Sequence, residues 1–363
     1  MIRLESRNSS SHWLAVLAPV AAALFAMLLA AIPLMAAGQN PITAYGLMFK
    51  GAFGGMFAFT ETLTRATPLI LTGLAAAVAF RAKLWNIGLE GQFYLGAVGA
   101  VIVGSGSIDA PAAVLIPMTM AGGALFGALA MLGPAWLKTR YQTDEVVTTL
   151  LLNFVILLLV QMLLEGALKD PMALGWPQSA PIVDNALLPA LSAKYRLHTG
   201  LYIALCASLL VFALMRYTTF GFALRAVGEN PSAARHAGIS VSAATLGAAA
   251  LSGALAGLAG VGEVAGLKGY LTADISPGFG YAGIVVAMLA GLSPLGVVMA
   301  AVFVAAVFVG ADSMSRALSV SSYLADLMVA LALLCVLIGG FLMRFKVTWV
   351  SNSRRTSSTG AEV

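Results

Sequence analysis

Apolar stretches of about twenty residues recur along nearly the whole of this 363-residue chain, and a helix needs about 20 such residues to cross roughly 30 Å of hydrocarbon. That repetition leaves few folds open. In lipid each backbone N–H and C=O must be satisfied inside its own segment, so runs of this length read as membrane-spanning helices. Candidate spans lie near 14–37, 64–80, 88–108, 112–136, 146–166, 200–215, 241–262, 281–292, 296–311 and 323–343, about ten in all. The expected fold is all-α and polytopic: one membrane domain over 14–345, a short leading segment 1–13, and a polar tail 346–363 expected to be disordered. With 60% hydrophobic and 10% charged residues, no stretch remains for a large soluble domain. The first span exceeds a signal-peptide core and lacks a small-residue cleavage site, so it is expected to stay as an anchor.

Basic residues are retained on the cytoplasmic side of a membrane. With the N-terminus inside, thirteen of the twenty lysines and arginines fall on inner segments, among them Arg81, Lys83, Lys138, Arg140, Arg216, Arg225 and Arg235. Both termini are therefore expected in the cytoplasm of a plasma (inner) membrane. The net charge of +5 then serves topology and contact with anionic lipid, not nucleic acid.

Soluble-enzyme chemistry finds no foothold. Cys206 and Cys335 are the only cysteines, each inside an apolar run, and His12, His198 and His236 have no second ligand at metal spacing. No metal site is expected. HExxH, GxSxG and GxxxxGK[ST] motifs are absent, so any work done against a gradient draws on ATP bound elsewhere.

The run FRAKLWNIGLEGQ, Phe80 to Gln92, interrupts membrane-grade sequence with charge, amides and two glycines. Such breaks mark pathways and gates, because polar groups near hydrocarbon are costly unless they face protein or water. Asn86, Glu90 and Gln92 are one candidate translocation set. Asn153 and Gln161, eight apart on the fifth span, are read as a second polar stripe extended by Glu165, with plain interhelical hydrogen bonding as the alternative. Gly253, Gly257, Gly260, Gly262 and Gly266 form a small-residue face suited to close helix packing. Tyr281 is one of several aromatics able either to stack on a base or to sit at the interface.

The inner loop 216–240 carries a complete short-helix signature: Asn230 to cap, Pro231 at the first helical position, good helix formers after it, and Gly238 for a left-handed stop. A helix of about two turns is unstable alone in water. It needs a groove to dock in, unless it is an ordinary interfacial connector. The longest outer loop, 167–199, holds four prolines and is expected to be an ordered cap.

NIGLEGQ (Asn86 to Gln92), TDEVVTTLLLNF (Thr143 to Phe154) and GENPSAARHAGI (Gly228 to Ile239) together resemble the signature segments of permease subunits of bacterial ABC importers for nucleosides and simple sugars, the branched-chain amino acid and ribose permease-like family. The similarity runs over roughly 65–345. It implies a type II-like importer permease that forms the translocation path, pairs with a second homologous permease, docks on an ABC ATP-binding subunit and receives solute from a surface or periplasmic substrate-binding protein. ATP is then bound by the partner subunit, and this chain carries no cofactor and is no enzyme. The resemblance makes 228–239 the coupling helix, with Arg225, Gly228, Glu229, Asn230, Pro231, Ala234, Arg235 and Gly238 as the residues that couple to the ATPase. This loop reads ENPSAARHAG and departs from the EAA-type coupling motif of other importers. Nucleosides are the expected solute and another simple sugar the alternative. An ion-coupled transporter acting alone is the contrasting reading, and the absence of a chain of buried acids speaks against it.

Overall fold

The computed structural model describes residues 2–6, 12–192 and 194–349. Among these residues thirteen α-helices follow one another: α1 (His12–Ala36), α2 (Pro41–Phe53), α3 (Met56–Arg81), α4 (Leu89–Gly104), α5 (Ala112–Tyr141), α6 (Glu145–Glu165), α7 (Gly200–Tyr217), α8 (Thr219–Glu229), α9 (Pro231–His236), α10 (Val241–Glu263), α11 (Phe279–Leu289), α12 (Pro294–Leu318) and α13 (Ser322–Arg344). Two short strands, β1 (Ile2–Ser6) and β2 (Phe345–Trp349), pair antiparallel. The tail expected to be disordered from 346 thus begins as strand as far as Trp349, and 350–363 lie outside the described residues.

Among the described residues seven helices are long and apolar enough to cross a membrane, or eight if the bent pair Leu24–Ala36 and Pro41–Phe53 counts as one span. The expected count of about ten is not confirmed, because two apolar runs fold as short helices. At 1.5 Å per residue, α4 with 16 residues reaches about 24 Å and α11 with 11 residues about 16 Å, both under the hydrocarbon thickness. The run expected at 296–311 is instead a full span within α12. Two helices were not anticipated. α2 starts at Asn40, whose side chain accepts from Ile42 N at 2.9 Å, and meets α1 at a 114° bend. α8 starts at Thr218, whose hydroxyl accepts from Gly221 N at 3.1 Å.

The middle of the bundle is α3, with 89% of its apolar window buried, whereas α6 has 22% and turns most of its side chains outward. Around α3 pack α10, α11, α12 and α7, and α10 in turn lies against α4 and α5. Glycine sets that last approach. Gly257 faces Gly96 and Gly123, Gly253 faces Gly127, and Gly260 rests on the Phe93 carbonyl, backbone against backbone. Dispersion and weak Cα–H contacts then replace the hydrophobic driving force that lipid cannot supply between helices.

Within 167–199 the described residues, all but 193, are tied to the bundle by backbone hydrogen bonds. The loop is zipped to the segment after α10 through Ser179 N to Leu271 O (2.9 Å), Ile182 N to Gly269 O (2.8 Å) and Leu188 N to Ala265 O (2.8 Å), and to the end of α4 through Val183 N to Gly104 O (2.9 Å). His198 closes it: its ring packs beneath Gly266, and Nδ1 accepts from Gly200 N at 3.1 Å. Burial pushes the imidazole down to about 4, so it remains neutral at physiological pH and keeps that acceptor.

Candidate functional site

Between α3 and α4 the backbone is irregular over 82–88, and at this depth every freed N–H and C=O needs a protein partner. The polar residues of the break supply them. Asn86 Nδ2 donates to Gln92 Oε1 and Gln92 Nε2 donates to Asn86 Oδ1, each at 2.9 Å. Asn86 Oδ1 also accepts from Gly88 N at 3.0 Å, and Asn86 Nδ2 reaches Ser252 Oγ on α10 at 2.9 Å. Ser252 in turn donates to Ala75 O on α3 at 2.7 Å. From α6, Asn153 accepts from Gly91 N and donates to Ile87 O, both at 2.8 Å, while Thr149 Oγ1 accepts from Ile87 N at 3.2 Å. One turn beyond the break, Glu145 accepts from Trp85 N at 3.3 Å and is ion-paired to Lys138, whose Nζ also reaches Lys83 O at 3.2 Å.

Glu90 stands in the first turn of α4 and accepts from Gly280 N, in the first turn of α11, at 2.6 Å. The carboxyl thus sits at two helix N-termini, where backbone N–H groups and the helix dipole favour an acceptor. Thr72 Oγ1 reinforces the same corner by donating to Phe279 O at 3.0 Å. The break is therefore a closed polar knot joining α3, α4, α6, α10 and α11.

The candidate path residues fall into two groups. Asn86, Glu90, Gln92 and Asn153 are all buried within the knot, whereas Gln161 and Glu165 are exposed. Eight residues at about 100° each leave Gln161 roughly 80° from Asn153 around α6, and the boundary between the packed and outward sectors falls in that gap. The two do not share an environment. Asn153 Nδ2 does reach the hydroxyl of Tyr281 at 3.4 Å, and that half-exposed ring lies at the edge of the knot. Ser252, Thr149, Glu145 and Gly280 belong to the knot without having been singled out from sequence. A serine in an Ala/Gly-rich helix carries no signal of its partner 166 residues away.

At the end of the bundle where α3 finishes, α8 and α9 form a packed pair joined at Asn230. Asn230 Oδ1 accepts from Ser232 N at 3.0 Å and Ala233 N at 3.1 Å, Pro231 opens α9, and Gly238 takes φ +80°. The short helix lies where its caps predicted. Ala234 is its buried anchor, and Glu229, Arg235 and Gly238 are exposed. Gly228 packs directly on the Arg81 carbonyl at the end of α3, so α8 is seated on the strand of chain that leads into the knot. Arg225 turns inward, its guanidinium donating to the Met215 carbonyl at the end of α7.

Long apolar helices around a buried polar break, with a surface helix pair seated on the central span, describe a polytopic membrane protein. The chain belongs to the family of branched-chain amino acid transport system permease components, whose model matches residues 58–337. It is 35% identical over 356 residues to the glucose ABC transporter permease protein TsgB13 of Haloferax volcanii, covering 95% of this chain and 93% of that protein. The guanosine ABC transporter permease protein NupP of Bacillus subtilis is 34% identical, with 88% and 92% covered. The nucleoside ABC transporter permease protein NupB of Lactococcus lactis is also 34% identical, with 83% and 85% covered. Among solved structures, a chain of PsaBC from Streptococcus pneumoniae in complex with Fab covers 80% of this chain and 94% of its own at a TM-score of 0.48 and 14% identity. The protein is thus an ABC permease subunit and not an enzyme, with ATP hydrolysis on a separate ATP-binding subunit.

Proposed function

We propose that this permease forms the path for nucleosides in an ATP-driven importer of a bacterial inner membrane. The observation that carries the solute is similarity to guanosine and nucleoside permeases over more than four fifths of the chain. The similarity to a glucose permease at 35% identity makes a hexose the second reading. Tyr281 favours the first, since a half-exposed ring oriented by Asn153 is a surface on which a base can stack.

The α8–α9 pair faces the cytoplasm in this reading, and both termini lie on that side. Antiparallel pairing of β1 with β2, which joins the two ends of the described chain, supports a common side. The ATP-binding subunit docks on the α8–α9 pair through Glu229, the last residue of α8, and Arg235 of α9, with Asn230, Pro231, Ala234 and Gly238 holding the short helix in shape. Motion then passes through Gly228 and the Arg81 carbonyl to α3 and the knot. Because the knot is closed and its amides are internally paired, the solute path runs outside it, along the surface shared with a second homologous permease, and the knot keeps five helices moving as one body. On the opposite side the loop 166–199 presents Met172, Leu174 and Trp176, all strongly exposed, as the docking tip for a substrate-binding protein.

Competition decides the solute. Uptake of labelled guanosine by the complete assembly is expected to be blocked by unlabelled nucleosides and unaffected by glucose at the same excess. Labelled glucose accumulating instead, insensitive to nucleosides, would replace the nucleoside reading with the hexose one.

A further inference from the structure

Beside the α8–α9 pair, a cleft of about 540 Å³ opens between the ends of α3, α7 and α8 and the turn that leads into α12. Three of its lining residues are arginines, Arg81, Arg216 and Arg225, and none is acidic. Among the described residues no carboxylate lies within 4.0 Å of any of the three. Two of the guanidinium groups are held in place: Arg225 by the Met215 carbonyl and Arg81 by the Leu292 carbonyl, through Nε at 3.4 Å and Nη2 at 3.5 Å. The first turn of α12, capped by Ser293, adds the positive end of a 25-residue helix. An uncompensated concentration of positive charge on rigid supports is built for an anion, and guanidinium forks match phosphate oxygens.

The rest of the lining decides which anion. Phe212, Met215 and Pro294 give the cleft an apolar half, and Tyr217 stands at its rim, edge-on to Phe212 with ring centroids 6.3 Å apart. The wall continues along α7 into Leu209 and Leu210, 59% and 69% exposed on a helix long and apolar enough to cross the membrane. A ligand here meets phosphate donors at one end and hydrocarbon at the other. We propose that the cleft binds the phosphodiester headgroup of an anionic phospholipid of the cytoplasmic leaflet, with Arg81, Arg216 and Arg225 on the phosphate and Phe212 and Tyr217 against the glycerol and upper acyl region. The lipid ties α7, α8 and α3 together at the base of the docking helix. Basic pockets between spanning helices on the cytoplasmic side are suited to such headgroups, and that leaflet carries the anionic lipid. The inference rests on the cytoplasmic placement of α8–α9 proposed above.

The test measures binding, not transport, so it is independent of the solute. The full-length chain in phosphatidylcholine nanodiscs is exposed to photoactivatable phosphatidylglycerol or photoactivatable phosphatidylcholine, and labelled peptides are mapped by mass spectrometry. Preferential labelling of the Phe212–Arg225 region by phosphatidylglycerol, about tenfold over phosphatidylcholine and undiminished by excess inorganic phosphate, is the expected result. R81Q/R216Q is expected to abolish the preference, R81K/R216K, which keeps the charge but loses the guanidinium fork, to keep only part of it, and R140Q, on an inner basic residue outside the cleft, to leave it intact. Equal labelling by both lipids, or labelling that maps elsewhere, would overturn the proposal with the wild-type chain alone. Loss of labelling on adding phosphate would assign the cleft to a soluble anion. Labelling that is weak in the isolated chain and in which the cleft arginines are protected only by added ATP-binding subunit would assign it to a protein contact.

Discussion

Replacing Gly260 with leucine is expected to abolish folded protein in the membrane, and alanine at the same position to lower the unfolding midpoint of the solubilised chain. At Gly260 a β-carbon would overlap the Phe93 carbonyl oxygen and come 2.8 Å from Ala97 N, and both obstacles are backbone of α4 that cannot rotate away. Overpacking of a tight core costs about 1–3 kcal/mol where side chains can adjust; here the helices themselves must separate. That separation also loosens the adjoining Gly257–Gly96 and Gly257–Gly123 contacts, so alanine is expected at the upper end of that range. The neighbouring Gly262 has nothing within 4 Å of its would-be β-carbon. Gly262→Ala should therefore be neutral or slightly stabilising, since alanine is the better helix former by about 1 kcal/mol. Comparison of the two midpoints separates close packing from a general need for glycine in α10. Equal effects at both positions would contradict the packing account.

Asn86→Ala is expected to destabilise the bundle by about 2–5 kcal/mol, since removing the amide orphans several groups at once and each buried unsatisfied group costs about 1–3 kcal/mol. Gly88 N loses its acceptor, Gln92 loses both an acceptor and a donor, and Ser252 Oγ loses its donor. Water cannot stand in for them at a site where Asn86 and Ser252 are fully buried. Coupling follows from the reciprocal bonds. Once Asn86 is gone, Gln92 has already lost its main partner, so N86A/Q92A should cost clearly less than the sum of N86A and Q92A, a departure of the size seen within one hydrogen-bond network. Additive costs in the denaturant midpoints would mean that the two amides act separately and that the knot is no single unit.

Local chemistry was legible in the sequence and long-range pairing was not. The caps of α9 could be read because Asn230, Pro231 and Gly238 act within one turn of each other. Asn40 and Pro41 carry the same start signal for α2, but the apolar run before them draws attention to a span and hides the bend. The count of about ten spans is not confirmed for a similar reason. Hydropathy registers an apolar run, and cannot tell a full crossing from the short α4 and α11 whose N-terminal turns meet at Glu90 and Gly280. The polar break was visible as a break, yet its purpose depends on Ser252, Thr149 and Asn153, which arrive from helices far along the chain. Spacing placed Asn153 and Gln161 on one stripe, and packing put the boundary of the bundle between them.

In the proposed function an ATP-binding subunit drives this permease through the α8–α9 pair. That coupling is tested most directly by ATP-dependent uptake of labelled guanosine in proteoliposomes containing the chain, its ATP-binding subunit, its second permease and its substrate-binding protein, with wild-type chain and with E229A/R235A. Uptake that needs every component and ATP, and that falls about tenfold or more in the double variant while its unfolding midpoint is unchanged, is the predicted result; a tenfold loss corresponds to roughly 1.4 kcal/mol of lost coupling. Uptake by the chain alone that collapses with the ion gradient, or full ATP-driven uptake by the double variant, would contradict it.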